Sequence, residues 1–271
     1  MTANQITPHV GRWITRAVEA APSGHIPLLF LSGPQGCGKS TALAEAVSAL
    51  PVPVAGFGLD DVYLKKAERE RLALEVSALF RVRGPPGTHD LGLLRSLIAE
   101  LREASAQSVT ALPVFDKLAD DRAPREAWRA VLGRPAAIVV EGWLMGVCPD
   151  PDAPNSPPIN RVEAADADKT WRLHQETVLA RSYAPLWDAA DGFLHIVPPA
   201  FDCVLDWRMQ QEAALWAARG EAVPPERRAW VAGFIEHYER LTRRMIAGGR
   251  RPGTEIHIDA ARQVLSLSAG G

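Results

Sequence analysis

Eight consecutive residues, Gly33-Pro34-Gln35-Gly36-Cys37-Gly38-Lys39-Ser40, fit the pattern G-x-x-x-x-G-K-[ST]. That spacing serves to hold a polyanion, because its glycines let the backbone curl until successive N–H groups point inward at phosphate oxygens. The pattern works only between a strand and a helix. Here it lies between an apolar run at 26–31 and a helix-forming run at 41–50 that opens with Thr41. A helix starting near Lys39 adds the positive end of its dipole. Lys39 then reaches the β- and γ-phosphates, and Ser40 holds Mg²⁺ through its hydroxyl. A nucleoside triphosphate is the first expectation.

The acids place the chain among phosphate-handling proteins. A strand-like run at 136–141 ends in Glu141-Gly142 and carries one acid, whereas hydrolytic motors carry Asp-Glu, with the second acid activating water. There is no N-K-x-D guanine-reading sequence and no L-S-G-G-Q signature. These absences point to phosphoryl transfer onto a small acceptor. Glu141 beside the phosphate loop completes the Mg²⁺ shell through water, or else caps a turn.

The run at 52–59 leads into Gly58-Leu59-Asp60-Asp61-Val62-Tyr63. A right-handed crossover brings Asp60 and Asp61 to the sheet edge where the γ-phosphate sits. A carboxylate there accepts the proton of an acceptor hydroxyl and orients its oxygen, so Asp60 is assigned as the base. Asp61 serves equally well as a cap before Leu64. Further on, Arg83-Gly84-Pro85-Pro86-Gly87-Thr88-His89-Asp90 is a stiff loop holding a guanidinium, an imidazole and a carboxylate. Arg83 and His89 are candidates to grip an anionic acceptor, while Asp90 doubles as a helix cap. Lys117, in Phe115-Asp116-Lys117, either neutralises acceptor charge or is simply solvated.

These residues need a scaffold that brings them to one edge. Strand-like runs at 26–32, 52–59, 136–141, 193–197 and 255–258 alternate with segments long enough to return as helices, notably 91–104, 170–182, 203–219 and 225–247. That alternation predicts an α/β domain with a mainly parallel sheet and helices on both faces. Residues 1–24 supply a preceding helix, with Thr7 as its cap and Pro8 at its first position. Segment 149–168, rich in proline, alanine and aspartate, reads as an exposed insertion in a single domain. The pairs Tyr183/Trp187 and Phe234/Tyr238 read as core contacts.

Of 271 residues, 47% are hydrophobic and 23% charged, and the net charge of −2 leaves no basic face for nucleic acid or a membrane surface. Three scattered cysteines suggest neither a disulfide framework nor a zinc site, and hence a reducing compartment. The amino terminus lacks a leader pattern and no apolar run approaches membrane-spanning length, so a soluble, cytoplasmic protein is expected.

Taken in order, five motifs resemble the D-glycerate 3-kinase family, within the P-loop kinases that include phosphoribulokinase, uridine kinase and pantothenate kinase. They are the phosphate loop, Asp60-Asp61-Val62-Tyr63, Arg83-Gly84 with Gly87-Thr88-His89-Asp90, Val140-Glu141-Gly142-Trp143, and Asp206-Trp207-Arg208-Met209-Gln210-Gln211-Glu212. The resemblance implies a phosphoribulokinase-like P-loop NTPase fold and ATP- and Mg²⁺-dependent phosphorylation of a glycerate hydroxyl. By the same resemblance, Gly36, Gly38 and Lys39 bind phosphate, Ser40 and Glu141 serve the metal, and Asp60 is the base. The resemblance adds Arg208, which closes over the phosphates from a lid-like helix at 203–219, while Asp61, Tyr63, Arg83, His89 and Lys117 are the acceptor-side candidates among the residues themselves. Val62 stands where the family has an aromatic residue, and Phe115-Asp116 stands where it has a tyrosine–asparagine pair. These departures, with a stretch at 118–124 that is shorter than in that family, lie near the acceptor, leaving pantothenate, a nucleoside or a sugar as alternatives, along with an inactive nucleotide-binding module.

Overall fold

The alternation of apolar runs and helices forms one doubly wound sheet in this computed structural model, which describes residues 4–218 and 220–268. Helix α1 (Thr7–Ala20) precedes β1 (Leu28–Ser32), the phosphate loop and α2 (Lys39–Ala49). Then come β2 (Val54–Gly58), α3 (Lys66–Glu75) and α4 (Leu91–Glu103). Strands β3 (Val109–Leu112), β4 (Phe115–Asp116), β5 (Asp121–Arg122) and β6 (Arg129–Leu132) make two antiparallel ribbons, β3 with β6 and β4 with β5. Strand β7 (Ala137–Gly142) is followed by α5 (Arg161–Ala165), α6 (Thr170–Val178) and α7 (Ala184–Asp188). The chain continues through β8 (Gly192–Val197), α8 (Cys203–Ala217), α9 (Arg227–Ile235), α10 (Glu239–Ile246), β9 (Thr254–Ile258) and β10 (Val264–Ser268).

The sheet order is β10-β9-β8-β1-β7-β2, parallel except for β10. Strand β1 reads as an unbroken apolar run because both of its faces are covered. Leu28 and Phe30 pack with Ile138, Val140 and Leu94 on one face. Leu29 and Leu31 pack with Val139, Ala42 and Ile14 on the other. The strands that follow β1 in the chain lie on both sides of it, so a crevice opens at its carboxyl end, the place where doubly wound sheets bind ligands. The P-loop NTPase architecture expected from the sequence is the one observed.

Several local readings are corrected. Ile6, not Thr7, occupies the cap of α1, and the Thr7 hydroxyl instead donates to Glu45 on α2. The helix expected over 170–182 passes into a π turn at Leu179–Tyr183, where Pro185 supplies no N–H to continue a regular ladder. The long helix expected over 225–247 is two helices. That expected over 203–219 ends at Ala217, and Arg219 lies outside the described residues. Segment 149–168 is not merely exposed: Glu163 and Asp166 are buried, bonded to Arg240 and Arg172. Among the described residues, no helix is long and apolar enough to cross a membrane.

Candidate active site

The phosphate loop is shaped by two glycines in left-handed backbone, Gly36 at φ +81° and Gly38 at φ +95°. A Cβ on Gly36 would also lie 2.5 Å from Trp207 Cβ, so α8 presses directly on the loop. Its carbonyls are pinned outward: Arg262 Nε donates to Gly36 O at 2.7 Å, and Asn4 Nδ2 donates to Gly38 O at 3.0 Å. In a trans peptide the next N–H points the opposite way, and the Cys37 N–H closes the turn onto Pro34 O at 3.4 Å. Pro34 and Gln35 form its rising arm, and Gly33 N–H donates to Gly142 O on β7. Cys37 is fully buried; burial pushes its thiol up, which suits a packing role rather than a nucleophile.

Lys39 and Ser40 open α2 and converge on Glu141 at the end of β7. Ser40 Oγ donates to Glu141 Oε1 at 2.6 Å, and Lys39 Nζ lies 3.7 Å from Glu141 Oε2. Burial alone would push Lys39 down, but Glu141 and Asp60 raise it overall, so the ammonium stays charged. Thr41 follows on an exposed face of α2.

Lys39, Asp60, Tyr63, Arg83, Lys117 and Arg208 share one cleft at the carboxyl edge of the sheet. Asp60 stands on the 3₁₀ turn that ends β2. Tyr63 Oη donates to its Oδ1 at 2.7 Å, and Lys117 Nζ lies 3.3 Å from its Oδ2. Burial favours the neutral acid, but Lys117, the Tyr63 hydroxyl and Lys39 outweigh it and hold the carboxyl at about 2. Asp60 is therefore a carboxylate at neutral pH. Arg208 is held on α8 by Gln211 at 2.7 Å and Glu212 at 3.4 Å; the buried Glu212 also takes Arg227 Nε at 2.8 Å.

Two acceptor-side expectations are corrected. Asp61 Oδ2 accepts the Gly58 N–H at 3.0 Å, and its side chain lines a separate groove with Ser40, Arg129 and Glu141. It caps the turn that presents Asp60. His89 does not line the cleft. Its ring stacks on Tyr63 with centroids 4.7 Å apart, and Nδ1 meets Tyr183 Oη at 2.7 Å. Burial pushes it down to about 4, so it is neutral and braces Tyr63 instead of gripping an anion. Asp90 is a cap: its Oδ1 accepts Leu93 N–H at 2.9 Å.

Neutral buried histidines have a consequence for stability. His89 and His195 are each held at about 4, against 6.5 for a free imidazole, so the unfolded chain binds more protons between those values. Their contribution is complete above pH 6.5 and disappears as pH falls through about 4. Urea midpoints should therefore drop from pH 7 to pH 4.5, as the unfolding free energy falls with a slope approaching about 1.4 kcal/mol per pH unit for each histidine. A midpoint flat over that range contradicts the burial of both rings.

Residues to which the sequence analysis gave no role at the site also shape it. Trp143, Phe234 and Tyr238 form its apolar wall, so the Phe234/Tyr238 pair does more than fill the core. Glu212, four residues after Arg208 on one helix, had a readable spacing signal. Arg262 and Asp120, both in left-handed backbone, had none.

No protein-family model matches the chain. The uncharacterized kinase mug58 of Schizosaccharomyces pombe is 29% identical over 232 residues, spanning 80% of this chain and 80% of that protein. The chloroplastic D-glycerate 3-kinase of Arabidopsis thaliana is 29% identical over 206 residues, which cover 70% of this chain and 42% of that protein. Among solved structures, the D-glycerate 3-kinase from Cryptococcus neoformans superposes with a TM-score of 0.77 at 22% identity, over 98% of this chain and 100% of that one. The superposition carries the fold, and the motifs lie on the same kind of sheet.

Proposed function

We propose that this chain, a P-loop kinase in its fold and in its relatives, transfers the γ-phosphate of ATP to a hydroxyl of D-glycerate. The observation that carries this reading is the convergence of Lys39, Arg208 and Asp60 on one cleft whose remaining charged walls, Arg83 and Lys117, are cationic. One carboxylate among four cations suits an acceptor that is itself a small anion carrying a hydroxyl.

The residues divide the work. The loop N–H groups and Lys39 hold the β- and γ-phosphates, and Arg208 stabilises charge spreading over the equatorial oxygens of the transferred group. Asp60 orients the acceptor hydroxyl for in-line attack. Held at about 2, it is a weak base toward a resting alcohol and takes the proton as the new P–O bond forms and the hydroxyl becomes acidic. Arg83 and Lys117 bind the acceptor carboxylate. Trp143, Phe234 and Tyr238 exclude water, which limits wasteful hydrolysis.

Ser40 Oγ and Glu141 present adjacent hard oxygens 2.6 Å apart beside the phosphate loop, a fit for Mg²⁺ bound directly by Ser40 and through water by Glu141. Among the described residues no group of three or more His, Cys, Asp or Glu side chains could enclose a metal. Held beside the phosphate loop by Ser40 with Glu141 nearby, Mg²⁺ would supply positive charge to offset the negative charge that develops on the phosphates.

The test is an acceptor panel. Purified protein with Mg-ATP is offered D-glycerate, glycerol, pantothenate, uridine and ribulose 5-phosphate, and ADP and phosphorylated product are measured. D-glycerate should give the highest kcat/KM and glycerol almost none. Preferential turnover of a neutral acceptor, or ADP release with none above background, rejects the assignment.

A further inference from the structure

The acceptor side of the cleft is built around a buried guanidinium belonging to none of the five motifs. Arg69 on α3 is 1% exposed. It donates through Nε to Leu64 O at 3.3 Å, through Nη1 to Arg81 O at 2.9 Å, and through Nη2 to Asp120 O at 2.5 Å. The same Nη2 lies 2.9 Å from Asp120 Oδ2. These bonds join the chain just after Tyr63, the chain just before Arg83, and the β4–β5 turn that carries Lys117. A buried arginine needs such partners, since an unpaired charge there is costly.

Asp120 uses its second oxygen differently. Oδ1 accepts from Arg83 Nη1, which lies beside the cleft. Arg83 is also laid over the Phe115 ring, with its guanidinium carbon 5.4 Å from the centroid, and Arg69 approaches the same ring at 5.9 Å. Phe115 in turn meets Tyr63 edge-on at 5.1 Å. One carboxylate thus bridges a guanidinium that is wholly buried and one that lines the cleft.

We infer that Asp120, anchored by Arg69, is a positioning residue for acceptor recognition: it holds Arg83 in a fixed pose facing the acceptor carboxylate. This rests on the glycerate-kinase reading of the cleft and adds the residue that sets its anion specificity. Fixing a long side chain before the ligand arrives removes part of the ordering cost of binding. Asp120 has no contact with the phosphate loop, so its influence is confined to the acceptor side.

Asp120→Asn tests this, because asparagine keeps the volume and tolerates the left-handed backbone at φ +54° while removing the charge. The expected result is a rise of about tenfold in the KM for D-glycerate, the scale of one charge-assisted hydrogen bond. The KM for ATP and kcat should stay within about twofold of the parent. In an Arg83→Lys background the same change should add little, since the two residues act as a unit. Asp120→Glu, which keeps the charge but displaces it, should give an intermediate acceptor KM and serves if the asparagine variant is poorly folded. Equal losses for ATP and glycerate, or additive effects in the double variant, overturn the inference. If the parent neither phosphorylates D-glycerate nor binds it calorimetrically in the presence of ADP, the functional reading itself falls. If the parent does and both Asp120 variants match it, only the role of Asp120 falls.

Discussion

Asp60→Asn lowers kcat by about 10²–10⁴ while ATP binding is retained, the scale of a positioned general base. The substitution keeps an oxygen for the Tyr63 hydroxyl and removes the charge that orients the acceptor and takes its proton. Folding should barely change. The ion pair it breaks joins a lysine side chain 62% exposed to a carboxylate 38% exposed, and such pairs contribute little. A coupled ADP assay beside equilibrium ATP binding separates the two effects. An unchanged kcat removes Asp60 from the chemistry, and a lost nucleotide affinity places it on the wrong substrate.

Lys39→Met should reduce kcat/KM for ATP by about 10²–10³, comparable to deleting one preorganised donor aimed at developing charge. Methionine is of similar length and volume, so the fold should be retained. Lys39 is 12% exposed and its nearest acid, Glu141, keeps the Ser40 hydroxyl as a donor. The variant should melt close to the parent and bind ATP more weakly. A drop below tenfold contradicts the placement of the ammonium at the transferred phosphate.

How far the sequence foretold this arrangement depended on what each feature needs. The phosphate loop was legible because a backbone curled around an anion requires glycine at fixed spacing, and Gly36 and Gly38 carry that requirement in their dihedrals. Glu141 and Asp60 were legible because the ends of β7 and β2 come to one edge in any doubly wound sheet. Residue type alone could not say which way a ring or carboxylate faces. His89 and Asp61 therefore looked like acceptor ligands, although one stacks beneath Tyr63 and the other caps a turn.

Helix α3 escaped notice because its mostly polar sequence buries only Arg69 and Ala73, leaving no apolar stripe to read. Strand β10 escaped because its residues are mainly exposed and pair antiparallel at the edge, after the parallel rhythm has ended. The Arg69–Asp120–Arg83 chain joins residues whose partners are set only by the closed fold.

The most direct measurement of the central claim is a crystal structure with ADP, a trigonal or square-planar phosphoryl mimic, Mg²⁺ and D-glycerate. The expected result places the Asp60 carboxylate within about 3 Å of the acceptor hydroxyl, and Lys39 against the mimic. An acceptor bound outside the cleft, with Asp60 still paired to Lys117, contradicts it.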